Sequence, residues 1–302
     1  MAIAGLVSGC GWFGDDAQAL LPLPEERDIQ YGPLDTCGEE RSDECGGSQT
    51  LDIYRSDVEG PNPVLIWIHG GGFVLGDKED GVREAMQPIL DDGWDIVSIN
   101  YRLALPDGAN AFPAAVQDVK RAVRWVRANA EANDWDPDVV AVAGHSAGGN
   151  LAAMAAVTPN RPEFEDPELP EDLVAQDPTV VAAIAIASVS DLAAFAANEE
   201  WSESMGHYLS CGDGCTEDDF ARGSVHPYVD GNAAPMLALH GVDDPLADPA
   251  QGRLVEQAYE QAGIGDRFEL IVVDDGPDRY RGHDPDFERW VDDFRELLEA
   301  NR

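Results

Sequence analysis

The residues Gly144-His145-Ser146-Ala147-Gly148 follow the apolar run Val139-Val-Ala-Val-Ala143 and precede a stretch of small residues reaching about Val157. A serine flanked by glycines between a strand and a helix suits nucleophilic attack. A sharp turn there leaves no room for neighbouring side chains, and it lifts the hydroxyl above the sheet. A serine hydroxyl is a weak nucleophile, so it needs a base, a group to orient that base, and donors for the oxyanion that attack creates. The second glycine cluster, His69-Gly70-Gly71-Gly72-Phe73, comes directly after the apolar run Val64-Leu-Ile-Trp-Ile68. Adjacent glycine amides can point at one spot, and Gly71 and Gly72 are the expected donors, with the amide of Ala147 as a third. A phosphate cradle is the competing reading of such a loop. No Gly-Lys-Ser/Thr follows it and no Gly-x-Gly-x-x-Gly is present, which argues against phosphate.

The base and its acid follow from order along the chain, since a nucleophile on a strand-to-helix turn is followed by the acid and then the histidine. Of six histidines, His69 and His145 belong to the glycine motifs, and His207 and His226 fall in a long polar segment. His240 abuts a strand end. His283, in Arg281-Gly-His-Asp-Pro, is the one beyond the last predicted strand and is the expected base. Asp243 and Asp244, after His240-Gly-Val, are both candidates for the acid. Asp191 is a third, although its place before Leu192-Ala-Ala-Phe-Ala-Ala suits a helix N-cap.

These residues need a scaffold that presents them at one edge. From Gln49 onward, strand and helix patterns alternate. Gln49–Arg55 reads as a half-buried strand, and Val64–Ile68, Asp95–Tyr101, Val139–Ala143, Val180–Ala187, Met236–Leu239 and Phe268–Val273 read as further strands. Helices are predicted over Pro113–Ala130, from Ala147 to about Val157, over Pro249–Ala262 and over Phe287–Ala300. Continuous apolar strands alternating with helices predict an α/β fold, with a mostly parallel central sheet covered on both faces. Thr158–Asp177 reads as a surface loop. Asp191–Asp230 reads as an insertion near the active site, carrying Trp201 and Tyr208 as its core or as a stacking surface for sugar. The predicted organisation is an α/β domain over residues 49–302, a loop segment over 11–48, and a lipoprotein signal remnant over 1–10.

Taken together, the motifs resemble the α/β-hydrolases of the hormone-sensitive-lipase-like bacterial esterases and their carboxylesterase relatives. The resemblance is carried by His69-Gly-Gly-Gly-Phe, Asn100-Tyr-Arg-Leu-Ala, Phe112-Pro-Ala-Ala-Val-Gln-Asp118, Gly144-His-Ser-Ala-Gly-Gly-Asn and His240-Gly-Val-Asp-Asp244-Pro-Leu, spanning about residues 50–285. The family pattern His-Gly-x-x-Asp-Pro-Leu implies Asp244 as the acid. It further implies a Ser146–His283–Asp244 triad, an acyl-enzyme, and no metal or organic cofactor. Short-chain acyl esters are the implied substrates, with acetyl or feruloyl esters on polysaccharide as the alternative. A peptidase or formamidase would use the same groups. A non-catalytic binding protein on the fold is the rival outside enzymes, and such relatives typically lose a triad member.

Composition narrows the partners. Acidic residues number 59 against 19 basic ones, giving a net charge of −40. That field repels phosphate backbones and anionic surfaces, so nucleic acid is not an expected partner. The charge reads either as solubility or as adaptation to high salt, where screening quenches self-repulsion. The five cysteines comprise two close pairs, Cys37 with Cys45 and Cys211 with Cys215, and Cys10 alone. Two local disulfides in an oxidising compartment are expected, with a shared zinc site as the competing reading. Val7-Ser-Gly-Cys10 resembles the end of a lipoprotein signal, which implies lipidation at Cys10 and a secreted or envelope-anchored protein.

Overall fold

The structure is a computed structural model and describes residues 23–33, 49–82, 86–274, 283 and 291–302. Cys10, Cys37 and Cys45 lie outside the described residues. The strands are β1 (Glu26–Gln30), β2 (Thr50–Tyr54), β3 (Asn62–Ile68), β4 (Asp95–Ile99), β5 (Trp135–His145), β6 (Ala183–Ile186), β7 (Met236–Gly241) and β8 (Phe268–Val273). They form one sheet in the order β1-β2-β4-β3-β5-β6-β7-β8. β1–β2 and β2–β4 pair antiparallel, while every pairing from β4 to β8 is parallel. The helices used below are α1 (Ala114–Ala128), α2 (Ala147–Val157), α3 (Leu192–Ala196), α4 (Ser202–Tyr208), α5 (Glu217–Gly223), α6 (Pro249–Gln261) and α7 (Val291–Ala300).

Two expectations need correction. The segment 11–48 is not all loop, because Glu26–Gln30 adds an antiparallel edge strand to β2. Its residues are mostly exposed and only Ile29 is apolar, so the strand is held by backbone pairing and carries little hydrophobic pattern. β2 is buried throughout, not half-buried, and it pairs with a strand on each edge. Even Asp52 is buried there, and it meets the Lys78 ammonium at 3.2 Å.

The register explains why the motifs converge. Ile68 pairs with Ile99 and with Gly144, His145 with Ile186, and Gly241 with Val273. The carboxyl ends of β3, β5, β6 and β7 therefore finish at one level. The chain leaves β3 for β4 on one side and returns to β5 on the other, and ligand crevices open where a parallel sheet reverses its order in this way. α2 follows β5 and is buried along its whole length. Its glycines and alanines let the helix lie close on the sheet. A Cβ on Gly148 would stand 2.1 Å from the Ile68 carbonyl oxygen and 2.4 Å from that of His69. A Cβ on Gly144 would stand 2.3 Å from the Gly148 carbonyl oxygen. Both sites exclude any side chain.

Charge is distributed unevenly between interior and surface. The chain has only two lysines, and both are buried. Lys78 pairs with Asp28 at 3.0 Å as well as with Asp52. Lys120 pairs with Glu165 at 2.6 Å and donates to the Thr158 carbonyl oxygen. Arg121 and Arg124, on the same helix α1, reach Asp166 and Glu165. The contacts of Lys120, Arg121 and Arg124 tie down the acidic segment after Thr158.

Two outcomes follow for stability. Melting temperature is expected to rise from low-salt buffer to about 1 M NaCl, where the Debye length shrinks to about 3 Å; a flat or falling response contradicts a destabilising self-repulsion. Gly148→Ala is expected to destabilise the fold by about 1–3 kcal/mol through overpacking against backbone, despite alanine's better helix propensity. A melting temperature equal to wild type would contradict the close approach of α2 to β3.

Candidate active site

Ser146 stands between β5 and α2 with φ 56° and ψ −118°. A non-glycine residue in the left-handed half of φ space costs about 1–3 kcal/mol and persists only where its surroundings hold it. Here the Ser146 amide donates to the Ile186 carbonyl oxygen at 2.8 Å, and its own carbonyl accepts from the Asn150 amide at 3.1 Å. The strand on one side and the first turn of the helix on the other thus clamp the turn. The serine is buried apart from a small opening.

His283 bridges the serine and an aspartate. Its Nε2 lies 2.7 Å from Ser146 Oγ, and its Nδ1 lies 3.0 Å and 3.2 Å from the two carboxylate oxygens of Asp244. A carboxylate only accepts, so Nδ1–H donates to Asp244 and Nε2 accepts from the serine hydroxyl. Asp244 is buried, in contrast to exposed Asp243 beside it. Its Oδ1 also accepts from the amides of Leu246 and Ala247, each at 2.8 Å. Burial alone would raise its pKa. The hydrogen bond and charge of His283, with the two amides, outweigh that and hold it below the usual carboxylate range. Asp191 serves elsewhere, accepting from the amides of Ala193 and Ala194 as the N-cap of α3.

The glycine loop after β3 lies beside Ser146. A Cβ on Gly70 would stand 3.3 Å from Ser146 Cβ. Gly71 has φ 106° and Gly72 φ 58°, conformations that favour glycine, and a Cβ on Gly71 would collide with the Leu75 carbonyl at 2.1 Å. The loop is braced from below by His69, stacked on Tyr101 with centroids 4.3 Å apart. The Tyr101 hydroxyl donates to the His69 carbonyl at 3.1 Å. Burial lowers the His69 pKa, so its ring is a neutral brace. From above, the insertion presses down. A Cβ on Gly72 would stand 2.3 Å from Cζ3 of Trp201, and Phe73 stacks on Tyr208 at 3.8 Å. Tyr208 is fully buried and belongs to the core of the insertion. Ala147 opens α2, where first-turn amides have no partner within the helix.

Behind the loop, Asp118 is buried and held by Arg102, whose guanidinium approaches it at 2.6 Å and 2.9 Å and whose amide donates at 2.7 Å. Gln49 completes its coordination at 2.5 Å. Burial raises the Asp118 pKa, and Arg102 opposes that shift. This cluster fixes the chain just after Tyr101.

Cys211 and Cys215 are joined in a disulfide next to α4, which removes those two thiols from any shared zinc site. Among the described residues no group of three or more His, Cys, Asp or Glu is arranged to hold a metal, and no helix is long and apolar enough to cross a membrane. One interaction had no signal in the sequence. His145, the variable position of the serine motif, places Nε2 2.7 Å from the main-chain oxygen of His283.

The BD-FAE family model matches residues 51–259. The esterase LipQ of Mycobacterium tuberculosis is 34% identical over 254 residues, covering 80% of this chain and 56% of that protein. LipM of the same organism, described as a probable carboxylic ester hydrolase, is 32% identical over 75% of this chain and 49% of its own length. The chain thus spans about half the length of these relatives. Among solved structures, a truncated carbohydrate esterase from gut microbiota superposes with a TM-score of 0.73 at 23% identity, over 95% of this chain and 100% of that one. The esterase Est2 of Thermogutta terrifontis, with propionate bound, gives 0.68 at 22% identity over 91% and 93%. The fold is that of the α/β-hydrolases, and the chain belongs to the hormone-sensitive-lipase-like BD-FAE family.

Proposed function

We propose that the chain is a serine hydrolase of carboxylic esters, with Ser146 as nucleophile, His283 as general base and acid, and Asp244 as its orienting carboxylate. The observation that carries this reading is the pair of contacts made by His283, 2.7 Å to Ser146 Oγ and 3.0 Å to Asp244. Nε2 takes the serine proton as Oγ bonds to the ester carbonyl carbon. The resulting imidazolium is stabilised by the Asp244 carboxylate and gives its proton to the departing alkoxide as the C–O bond breaks. Water, deprotonated by the same nitrogen, then releases the acid from the acyl-enzyme. The amides of Gly71, Gly72 and Ala147 hold the oxyanion. Removing one such donor costs roughly a hundred- to a thousandfold in turnover.

For the substrate we favour short acyl groups. Beside the glycine loop lies a pocket of about 20 Å³, lined among others by Trp67, Leu75, Asp80 and His145. Ser146 does not line this pocket, so the short-acyl reading rests instead on the similar Thermogutta terrifontis esterase, solved with propionate bound. Polysaccharide-linked esters are the second reading, favoured by the indole of Trp201 over Gly72 at the loop. The Cys211–Cys215 disulfide supports an oxidising, extracytoplasmic setting.

Ser146→Ala is expected to abolish p-nitrophenyl acetate hydrolysis with an unchanged melting temperature, and retained turnover would remove Ser146 from the mechanism. In the wild type, p-nitrophenyl esters of increasing acyl length are expected to be cleaved with falling kcat/KM. A maximum at long chains would contradict the short-acyl reading. Acetylated xylan in the same series separates free from polysaccharide-linked esters.

A further inference from the structure

We propose that His145 is a positioning residue for the reaction, a neutral imidazole whose Nε2–H holds the main chain of His283 in place. The proposal rests on the reading of His283 as the base. His145 ends β5, so its backbone is fixed by the centre of the sheet. Its Nε2 lies 2.7 Å from the His283 carbonyl oxygen, and a carbonyl can only accept, so this nitrogen carries the proton. The two rings sit 4.9 Å apart, tilted by 59°. On its other side, a Cβ at Gly70 would stand 3.3 Å from His145 Nδ1. One side chain therefore touches both the glycine loop and the residue that carries the base, while being covalently next to the nucleophile.

The charge state matters as much as the contact. Among the described residues, His283 and Asp244 act on His145, with Asp80 across the small pocket. Burial, with His283 adding to it, pushes the His145 pKa down to about 3. A second imidazolium beside His283 would oppose the protonation that His283 must undergo during turnover. A neutral donor gives the hydrogen bond without that repulsion. Among the described residues His283 has three anchors: Asp244 on Nδ1, Ser146 on Nε2, and His145 on its backbone. Side-chain contacts alone leave the ring free to follow any drift of its own main chain. The bond to His145 removes that freedom relative to the strand that bears Ser146.

The test compares His145→Phe, which keeps a ring but has no donor, with His145→Gln, whose side-chain amide can donate. With p-nitrophenyl acetate, His145→Phe is expected to lower kcat roughly ten- to a hundredfold while KM stays within about twofold, and His145→Gln is expected to recover most of that loss. Full kcat in His145→Phe, an equal loss in both variants, or a loss confined to KM would each overturn the proposal. Should His145→Phe fail to fold, ¹⁵N-histidine spectra of the wild type provide the check. A neutral Nε2–H tautomer at His145 supports the assignment, and an Nδ1–H tautomer or a charged ring overturns it. Ser146→Ala measured alongside separates the two levels. An active Ser146→Ala defeats the triad itself, whereas an inactive one with fully active His145→Phe defeats only the role of His145.

Discussion

The site depends on how closely β3, β5 and α2 approach one another. With no side chain at Gly144 or Gly148, the carbonyls of Ile68 and His69 reach the serine turn directly. The glycine loop must then begin beside Ser146, because it leaves β3 at that level. The strained backbone of Ser146 is held by the same packing, through the Ile186 carbonyl on one side and the first turn of α2 on the other. Ser146 and the glycine loop are thus parts of one closely packed junction.

Electrostatics complete the arrangement with few charges. Asp244 is the one carboxylate that touches His283 among the described residues, and two backbone amides help to keep it ionised despite burial. The other histidines near the junction, His69, His145 and His240, are shifted by burial towards their neutral forms. Of the histidines at this junction, His283 is the one seen paired with a carboxylate among the described residues. The cations of the interior, Lys78 and Lys120 with Arg102, Arg121 and Arg124, serve as structural ties at a distance from the serine. The large negative charge of the chain is left to the surface, where it bears on the medium.

Much of this was legible in the sequence because it is local. The serine turn, the glycine loop and the parallel strands are each written in a few consecutive residues, and chain order singles out His283. Choosing Asp244 over Asp243 required the family pattern, since both are aspartates after one strand; the structure separates them by burial and by the amides of Leu246 and Ala247. β1 was not legible. Its single inward apolar residue, Ile29, gives no periodicity, and its pairing is supplied by β2. The contact of His145 with His283 was equally hidden, because it joins residues 138 positions apart through a backbone oxygen. The anchoring of the glycine loop by Trp201 and Tyr208 was hidden too, because the insertion that carries them is far from that loop along the chain.

The central claim is that Ser146 forms the acyl-enzyme. Acid quenching during turnover of p-nitrophenyl acetate, followed by peptide mass spectrometry, addresses it directly. The account predicts an acetyl group on the peptide containing Ser146, placed on that residue by fragmentation and absent from the Ser146→Ala protein. Steady turnover with Ser146 unmodified, or with the acetyl group on another side chain, would contradict it.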